Sequence, residues 1–302
     1  MKIKKQELLK NHSYIRIGGP AHIFVEAEST EDLLNAIKMA KDFNLPYYII
    51  GGGSNILFPD EGYHGVIIKT TGLNDITIYG TKVKVKAGTR LPYLVNELLR
   101  AELSGMEQLC EIPGTIGGAI SGNAGAFGRE IGELFTEGAV LTPDGNIVKV
   151  NQKDLNFGYR RSDLKKIGIL IEATLQLVPS TSDKIKSAME EFKSRRRETQ
   201  PVGELTLGSV FKNPEGISAG YLLDRAGLKG FTVGGAKFSE KHANFIVNFN
   251  NATYQDVLEL IKIGFEKVKE MFNIELEREI IVLEPNAHFF REDKDGRNLY
   301  GS

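Results

Sequence analysis

The segment Gly51-Gly52-Gly53-Ser54-Asn55 follows the apolar run Tyr47-Tyr48-Ile49-Ile50. Consecutive glycines leave backbone N–H groups unshielded by Cβ atoms, and amides in such a turn can form a concave nest for an anion. Ser54 and Asn55 add side-chain donors. The segment is neither a G-x-x-x-x-G-K-[ST] loop nor a G-x-G-x-x-G fingerprint, since Ile56 stands where the last glycine of the latter would be. A tight turn packed against another strand would use the same residues. A second stretch, IPGTIGGAISGNAGAFG at 112–128, carries Gly114, Gly117, Gly118, Gly122, Gly125 and Gly128 around Ser121 and Asn123. That density disfavours a stable isolated helix and favours close approach of backbone to a large ligand. Two such stretches favour an extended ligand with a pyrophosphate, such as a dinucleotide cofactor, over a packed loop pair.

The other chemistry-bearing residues are individually ambiguous. Arg160 keeps its charge at any working pH and can grip a carboxylate through two parallel bonds. Arg161 beside it would face the opposite way on a strand, and spacing alone does not choose between them. Ser209 sits in Gly208-Ser209-Val210-Phe211-Lys212-Asn213-Pro214, with no G-x-S-x-G elbow. Alternation along a strand would put Glu275, Glu277 and Glu279 on one face, ordinarily a solvated one. Arg195-Arg196-Arg197 reads as the cationic last turn of a helix.

The elements that must position these residues follow from periodicity and punctuation. A strand is expected at 22–27, then a helix capped by Ser29 and Asp32 with Leu33, Leu34, Ile37, Ala40 and Phe43 on one face. Strands follow at 47–50, 65–70, 74–79 and 82–87, and Pro92 fits the first turn of a helix. Strands near 138–142 and 146–150 flank the turn Pro143-Asp144-Gly145, and 167–178 is another apolar run. Val257, Leu260, Ile261, Phe265, Val268 and Phe272 keep helical period, and 274–283 reads as a strand. The 302 residues allow two or three domains. The net charge of -1 argues against a nucleic-acid partner, and no apolar run approaches membrane-spanning length. One cysteine, and five histidines without ligand spacing, give no metal site. A cytoplasmic protein is the simplest reading.

Ile17-Gly18-Gly19-Pro20-Ala21, the GGGSN loop, IPGTIGGAISGNAG, Gly158-Tyr159-Arg160-Arg161-Ser162, GSVFKNP and AGLKGFTVGGAKFSEKHANFIVN at 226–248 occur in that order. Together they resemble the UDP-N-acetylenolpyruvoylglucosamine reductase family, in its shorter subtype, over about residues 12–284. The resemblance implies an α+β chain: a two-subdomain FAD-binding fold of the vanillyl-alcohol-oxidase/PCMH type, at 1–75 and 76–182, a C-terminal α+β substrate-binding domain at 183–284, and a polar tail at 285–302. It implies an NADPH-dependent enzyme that passes a hydride from FAD N5 to C3 of UDP-N-acetylglucosamine enolpyruvate, with a proton to C2. The product would be UDP-N-acetylmuramate, for peptidoglycan.

In that pattern Arg160 stabilises the developing enolate, Ser209 donates the proton and Glu279 is an acid on the other side. Non-covalent FAD would lie on Gly51, Gly52, Gly53, Ser54, Asn55, Pro113, Gly114, Thr115, Gly117, Gly118, Ser121, Gly122, Asn123 and Gly125. The loop has Ser54 where related folds attach flavin through a histidine, and His64 is nine residues beyond Asn55. Tyr159, Lys212, Asn213, Lys229 and His242 would meet the sugar nucleotide, with Asn244 beside them. The family often has arginine where Ile281 stands here. The expected partner is this small molecule, with no nucleic acid, no membrane and a monomeric chain. An FAD-dependent sugar or alcohol oxidase of the same fold, and an inert flavin module, are the competing readings.

Overall fold

The computed structural model describes residues 1–289 and the backbone of the strands Arg291–Glu292 and Asn298–Leu299. The first sheet has the order Lys2–Leu8, Pro20–Glu26, Tyr63–Lys69, Tyr47–Ile50. Its last three strands are parallel, and the helix Thr30–Asp42 makes the crossover between two of them. Ser29 Oγ accepts the Asp32 N–H, so the expected cap forms. Asp32 returns its bond to the Glu28 N–H, one residue earlier than the Ser29 N–H of a capping box. Parallel strands ending together put the Gly51–Asn55 loop at a sheet's carboxyl edge, where open α/β sheets bind ligands.

The second sheet is antiparallel, in the order Ile147–Asn151, Phe135–Leu141, Ile169–Gln176, Lys82–Lys86, Ile76–Tyr79. The helix Leu91–Arg100 buries Leu91, Leu94, Val95 and Leu98 beneath it. The helix Ser182–Thr199 adds Ile185 and Met189 to that same core. The division expected at 183 therefore cuts off a helix whose packing is with the preceding unit. Its buried face is short, two residues in 18, which is why sequence alone assigns it no neighbour.

The third unit has the strand order Thr206–Ser209, Phe245–Asn248, Ala236–Phe238, Thr232–Val233. It is covered by the helix Tyr254–Phe272, which starts in a reciprocal Thr253/Asp256 capping box and ends at a left-handed Asn273. Its core takes in Ile15, Ile17 and Leu57 from the first unit. Asn248 Nδ2 donates to Ile15 O (2.9 Å) and Tyr254 N–H to Asp60 Oδ2 (2.7 Å). The third unit is thus seated on the first.

The strand expected over 274–283 is overturned: only Ile281–Val282 is a strand, parallel to Ile56–Leu57. Residues 275–280 run irregularly beside Val210–Lys212, through Lys212 N–H to Glu277 O and Glu279 N–H to Val210 O, both 2.8 Å. Hence the three glutamates do not share one face. Glu275 pairs with Lys269, Glu277 with Lys212 and Glu279 with Arg160. The start of the expected tail is docked: Tyr63 Oη donates to Ala287 O (2.5 Å) and Phe289 N–H to Tyr47 O (2.9 Å). Residues 290, 293–297 and 300–302 lie outside the described residues.

Candidate active site

All three units contribute to one cleft of about 1820 Å³. That exceeds the ~300–1,000 Å³ of a typical small-ligand site and leaves room for two extended ligands. Both glycine stretches line it, with Arg160, Ser209, Lys212, Asn213, His242 and Glu279.

The glycines divide into two kinds. Gly53 has φ +71°, and a Cβ there would lie 1.8 Å from His12 O; at Gly51 it would lie 2.2 Å from Thr115 Oγ1. These two are required by packing of loop against loop, the alternative that the sequence left open. At Gly118 and Gly122 the nearest chain atoms to a Cβ are 3.7 and 3.6 Å away, and both residues line the cleft. There the missing side chain leaves space for a ligand. Gly52 stands between, with Gly114 Cα at 3.4 Å.

Among the described residues, no acceptor is found for the N–H groups of Gly52, Gly53, Ser54 and Asn55. The first amides of the helix Ile116–Ser121 are spent within the chain: Ile116 N–H donates to Thr89 O, Gly117 N–H to Ala87 O and Gly118 N–H to Thr115 Oγ1. The free amides therefore belong to the first loop, while the second presents a smooth wall. This set of free amides and open glycine faces fits the FAD that the resemblance implies.

Asn123 is not a wall residue. It is 1% exposed; Nδ2 donates to Glu130 Oε2 (2.6 Å) and Gly158 O (2.9 Å), and Oδ1 accepts the Gly132 N–H (3.0 Å). With those three bonds made it holds the turn that presents Arg160. In that turn Gly158 and Arg161 exchange backbone hydrogen bonds, which leaves Arg160 at φ +53°. A left-handed non-glycine backbone is uncommon and marks a constrained position. Arg160 and Arg161 both line the cleft, and Arg160, 23% exposed, is the one that faces Glu279.

Arg160 Nε lies 3.0 Å from Glu279 Oε1, but its N–H is not aimed at the oxygen, so the two form an ion pair without a hydrogen bond. The guanidinium thus retains donors for another carboxylate. Burial pushes the Glu279 carboxyl above its usual range, with Arg160 and Lys212 opposing the shift. Asn55 Nδ2 donates to Glu279 O (3.3 Å), tying the nest to the acid. Ser209 ends its strand after Gly208, where the pairing with Phe245–Asn248 slips, and it turns to the cleft.

The proposed substrate contacts separate. Lys212 pairs with the exposed Glu277 at the cleft edge. The Asn213 N–H donates to Tyr159 Oη (3.2 Å), and Tyr159 carries the Arg160 guanidinium 5.3 Å from its ring centre. Tyr159 itself lies outside the cleft lining and braces Arg160 from behind. His242 faces the cleft, its pKa lowered by burial, and Nδ1 accepts the Asn244 N–H. Asn244 is committed to structure, since Oδ1 and Nδ2 bond Phe211 N and O. Lys229 is not brought to the cleft; it pairs with Asp224 on the surface.

Sequence reasoning missed Lys69, Arg90, Lys165 and Arg196, all of which line the cleft. Burial holds Lys165 below its ordinary pKa, and Arg196 stacks 5.7 Å from the Phe127 ring centre. No helix among the described residues is long and apolar enough to cross a membrane.

Residues 21–151 match the family described as FAD binding domain, and 200–283 that described as UDP-N-acetylenolpyruvoylglucosamine reductase, C-terminal domain. The chain is similar to the UDP-N-acetylenolpyruvoylglucosamine reductase of Caldanaerobacter subterraneus subsp. tengcongensis, 41% identical over 283 residues that cover 93% of this chain and 94% of that one. It is equally similar to that of Anoxybacillus flavithermus, 41% identical over 284 residues with 93% and 94% covered. The solved UDP-N-acetylenolpyruvylglucosamine reductase from Thermus caldophilus is 38% identical, with a TM-score of 0.81, covering 94% of this chain and 100% of that one. These matches bear out the expected FAD-binding fold with its added C-terminal domain.

Proposed function

The chain belongs to the UDP-N-acetylenolpyruvoylglucosamine reductase family, and from that premise we infer that Arg160, Ser209 and Glu279 carry its chemistry. It is an FAD-containing oxidoreductase that uses NADPH to reduce UDP-N-acetylglucosamine enolpyruvate to UDP-N-acetylmuramate, in peptidoglycan precursor synthesis. The oxidase alternative is not favoured by these relatives. The observation that carries the residue roles is the meeting of Arg160 and Glu279 across a cleft whose floor is the amide nest.

When bound, FAD supplies the hydride chemistry, taking a hydride from NADPH and delivering one to the enolpyruvyl double bond. The Gly52–Asn55 amides would hold its pyrophosphate, and the faces of Gly118 and Gly122 would let it lie flat. Arg160 binds the substrate carboxylate and stabilises the negative charge that grows on it. It is held ready by the Gly158–Arg161 turn and the Tyr159 ring. Ser209 gives the proton to C2. A serine hydroxyl is a weak acid, so proton delivery needs a charged neighbourhood, which Lys212 provides three residues on along the same rim. Glu279, whose carboxyl burial holds above its usual range, faces Arg160 as the second acid. Lys212 and Asn213 would meet the diphosphate, with His242 beside the sugar.

The reaction is assigned to the cytoplasm, where sugar nucleotides are made. A monomer is proposed because one chain supplies every wall of the cleft. The test is a visible spectrum of purified protein, then anaerobic addition of NADPH and of the enolpyruvyl substrate. A yellow protein bleached by the first and restored by the second supports the reading; failure of the substrate to restore the colour contradicts it.

A further inference from the structure

Behind the amide nest stands a chain of three titratable side chains that the reaction does not use. His12 Nε2 lies 2.9 Å from Glu7 Oε1, and His12 Nδ1 lies 3.1 Å from Lys69 Nζ. An ammonium can only donate, so Nδ1 accepts from Lys69 and the ring proton sits on Nε2, donated to Glu7. The imidazole is fixed: its side chain is 9% exposed and stacks on Phe24 with ring centroids 4.2 Å apart.

This chain abuts the nest directly. The His12 carbonyl is the group that excludes a Cβ at Gly53, and the Tyr14 N–H donates to Gly53 O (3.1 Å). Lys69 pairs in register with Ile50, the residue before Gly51. His12 and Lys69 both line the cleft. Lys69 is half-buried, and among the described residues no carboxylate lies within ion-pair reach of it; its hydrogen-bond partner is a neutral ring. A half-buried cation whose partner carries no charge is a cost to the fold unless an anion joins it.

We propose that Lys69 is a ligand of the cofactor's phosphates, and that His12 and Glu7 are positioning residues that aim it across the nest. The inference rests on the reading of the cleft as an FAD site. His12 also makes the contact sensitive to acid. Lys4 from the first strand and Lys69 from the third face the Glu7–His12 pair, while Glu26 from the second strand and Arg90 act on Lys69. Burial foremost, with Lys69 and Lys4, holds His12 below its ordinary pKa against the opposing pull of Glu7. At neutral pH Nδ1 is therefore free to accept. Acidification below the ordinary histidine range protonates the ring, turns Nδ1 into a donor and repels Lys69.

Fluorescence titration of apoprotein with FAD and with riboflavin, which has no phosphate, tests the assignment. Lys69→Gln is expected to raise the Kd for FAD by at least about tenfold, the low end for losing a charged hydrogen bond. It should leave riboflavin binding and the apoprotein melting temperature in place, and Lys69→Arg should recover part of the loss. His12→Phe keeps the stacking on Phe24 but removes the acceptor. It should weaken FAD binding severalfold at pH 7.5 and abolish the decline that wild type shows on acidification towards pH 5. Added to Lys69→Gln it should change nothing further. Unchanged FAD affinity in Lys69→Gln, or equal weakening of FAD and riboflavin, overturns the proposal while the FAD site stands. Wild-type apoprotein that takes up no FAD overturns both.

Discussion

Arg160 Nε stands 3.0 Å from Glu279 Oε1, and the two residues belong to different units of the chain. The pair joins the second sheet's connection to the C-terminal domain at the mouth of the cleft. Because burial raises the Glu279 pKa, the folded chain binds its proton more tightly than the unfolded chain does. That contribution to stability is full below the ordinary carboxyl value of 4.5 and is lost as pH rises through the raised one. Glu279→Gln cannot lose it. Urea denaturation of both proteins from pH 4 to pH 8 should show the stability of wild type falling relative to the variant. A difference independent of pH would mean that folding leaves the Glu279 carboxyl unshifted.

Gly53 and Gly118 separate structure from ligand binding. Gly53→Ala puts a Cβ onto His12 O at a positive φ, so the apoprotein should lose at least ~1–2 kcal/mol of stability. Gly118→Val meets open cleft, so its apoprotein should melt near wild type while FAD affinity falls about tenfold or more, roughly 1.4 kcal/mol. Calorimetric melts with flavin titration read both. Unchanged FAD affinity in Gly118→Val would remove the second glycine stretch from the cofactor site.

Asn123→Ala should act on Arg160 at a distance. It leaves the buried Gly132 N–H without its acceptor and frees Gly158 O from one donor, a loss of about 1–3 kcal/mol. The loosened turn should raise KM for the enolpyruvyl substrate more than it alters flavin binding. Steady-state kinetics beside urea melts would show this. A stability loss with KM intact would mean that the turn holds its shape without Asn123.

Much of this was legible in the sequence because local signals agreed with the fold. Ser29 caps its helix in the structure as its spacing requires, and the first glycine loop lies at the end of the parallel strand that precedes it. The failures came where tertiary contact outweighs pattern. Ile274 to Leu283 alternates like a strand, yet the chain there follows Val210–Lys212 irregularly and pairs as a strand only at Ile281–Val282. Asn123 is placed with the cofactor by its position in the second glycine stretch and by the resemblance, and only the fold brings Gly158, Gly132 and Glu130 to it. Lys69 and Lys165 carry no local mark, since a lysine's burial depends on residues remote in sequence. Ser209 had no local mark; the resemblance alone selected it, and the strand slip after Gly208 gives it a place in the cleft.

The central claim is that Ser209 serves the second half of the reaction and not the first. Anaerobic stopped-flow absorbance of Ser209→Ala, mixed first with NADPH and then with UDP-N-acetylglucosamine enolpyruvate, measures the two halves separately. Bleaching of the flavin by NADPH should proceed at close to the wild-type rate, because no proton reaches substrate C2 in that step. Return of the flavin colour with the enolpyruvyl substrate should be slower by at least about 10²-fold, the low end for removal of a general acid. Equal slowing of both steps, or recovery at the wild-type rate, would contradict the account.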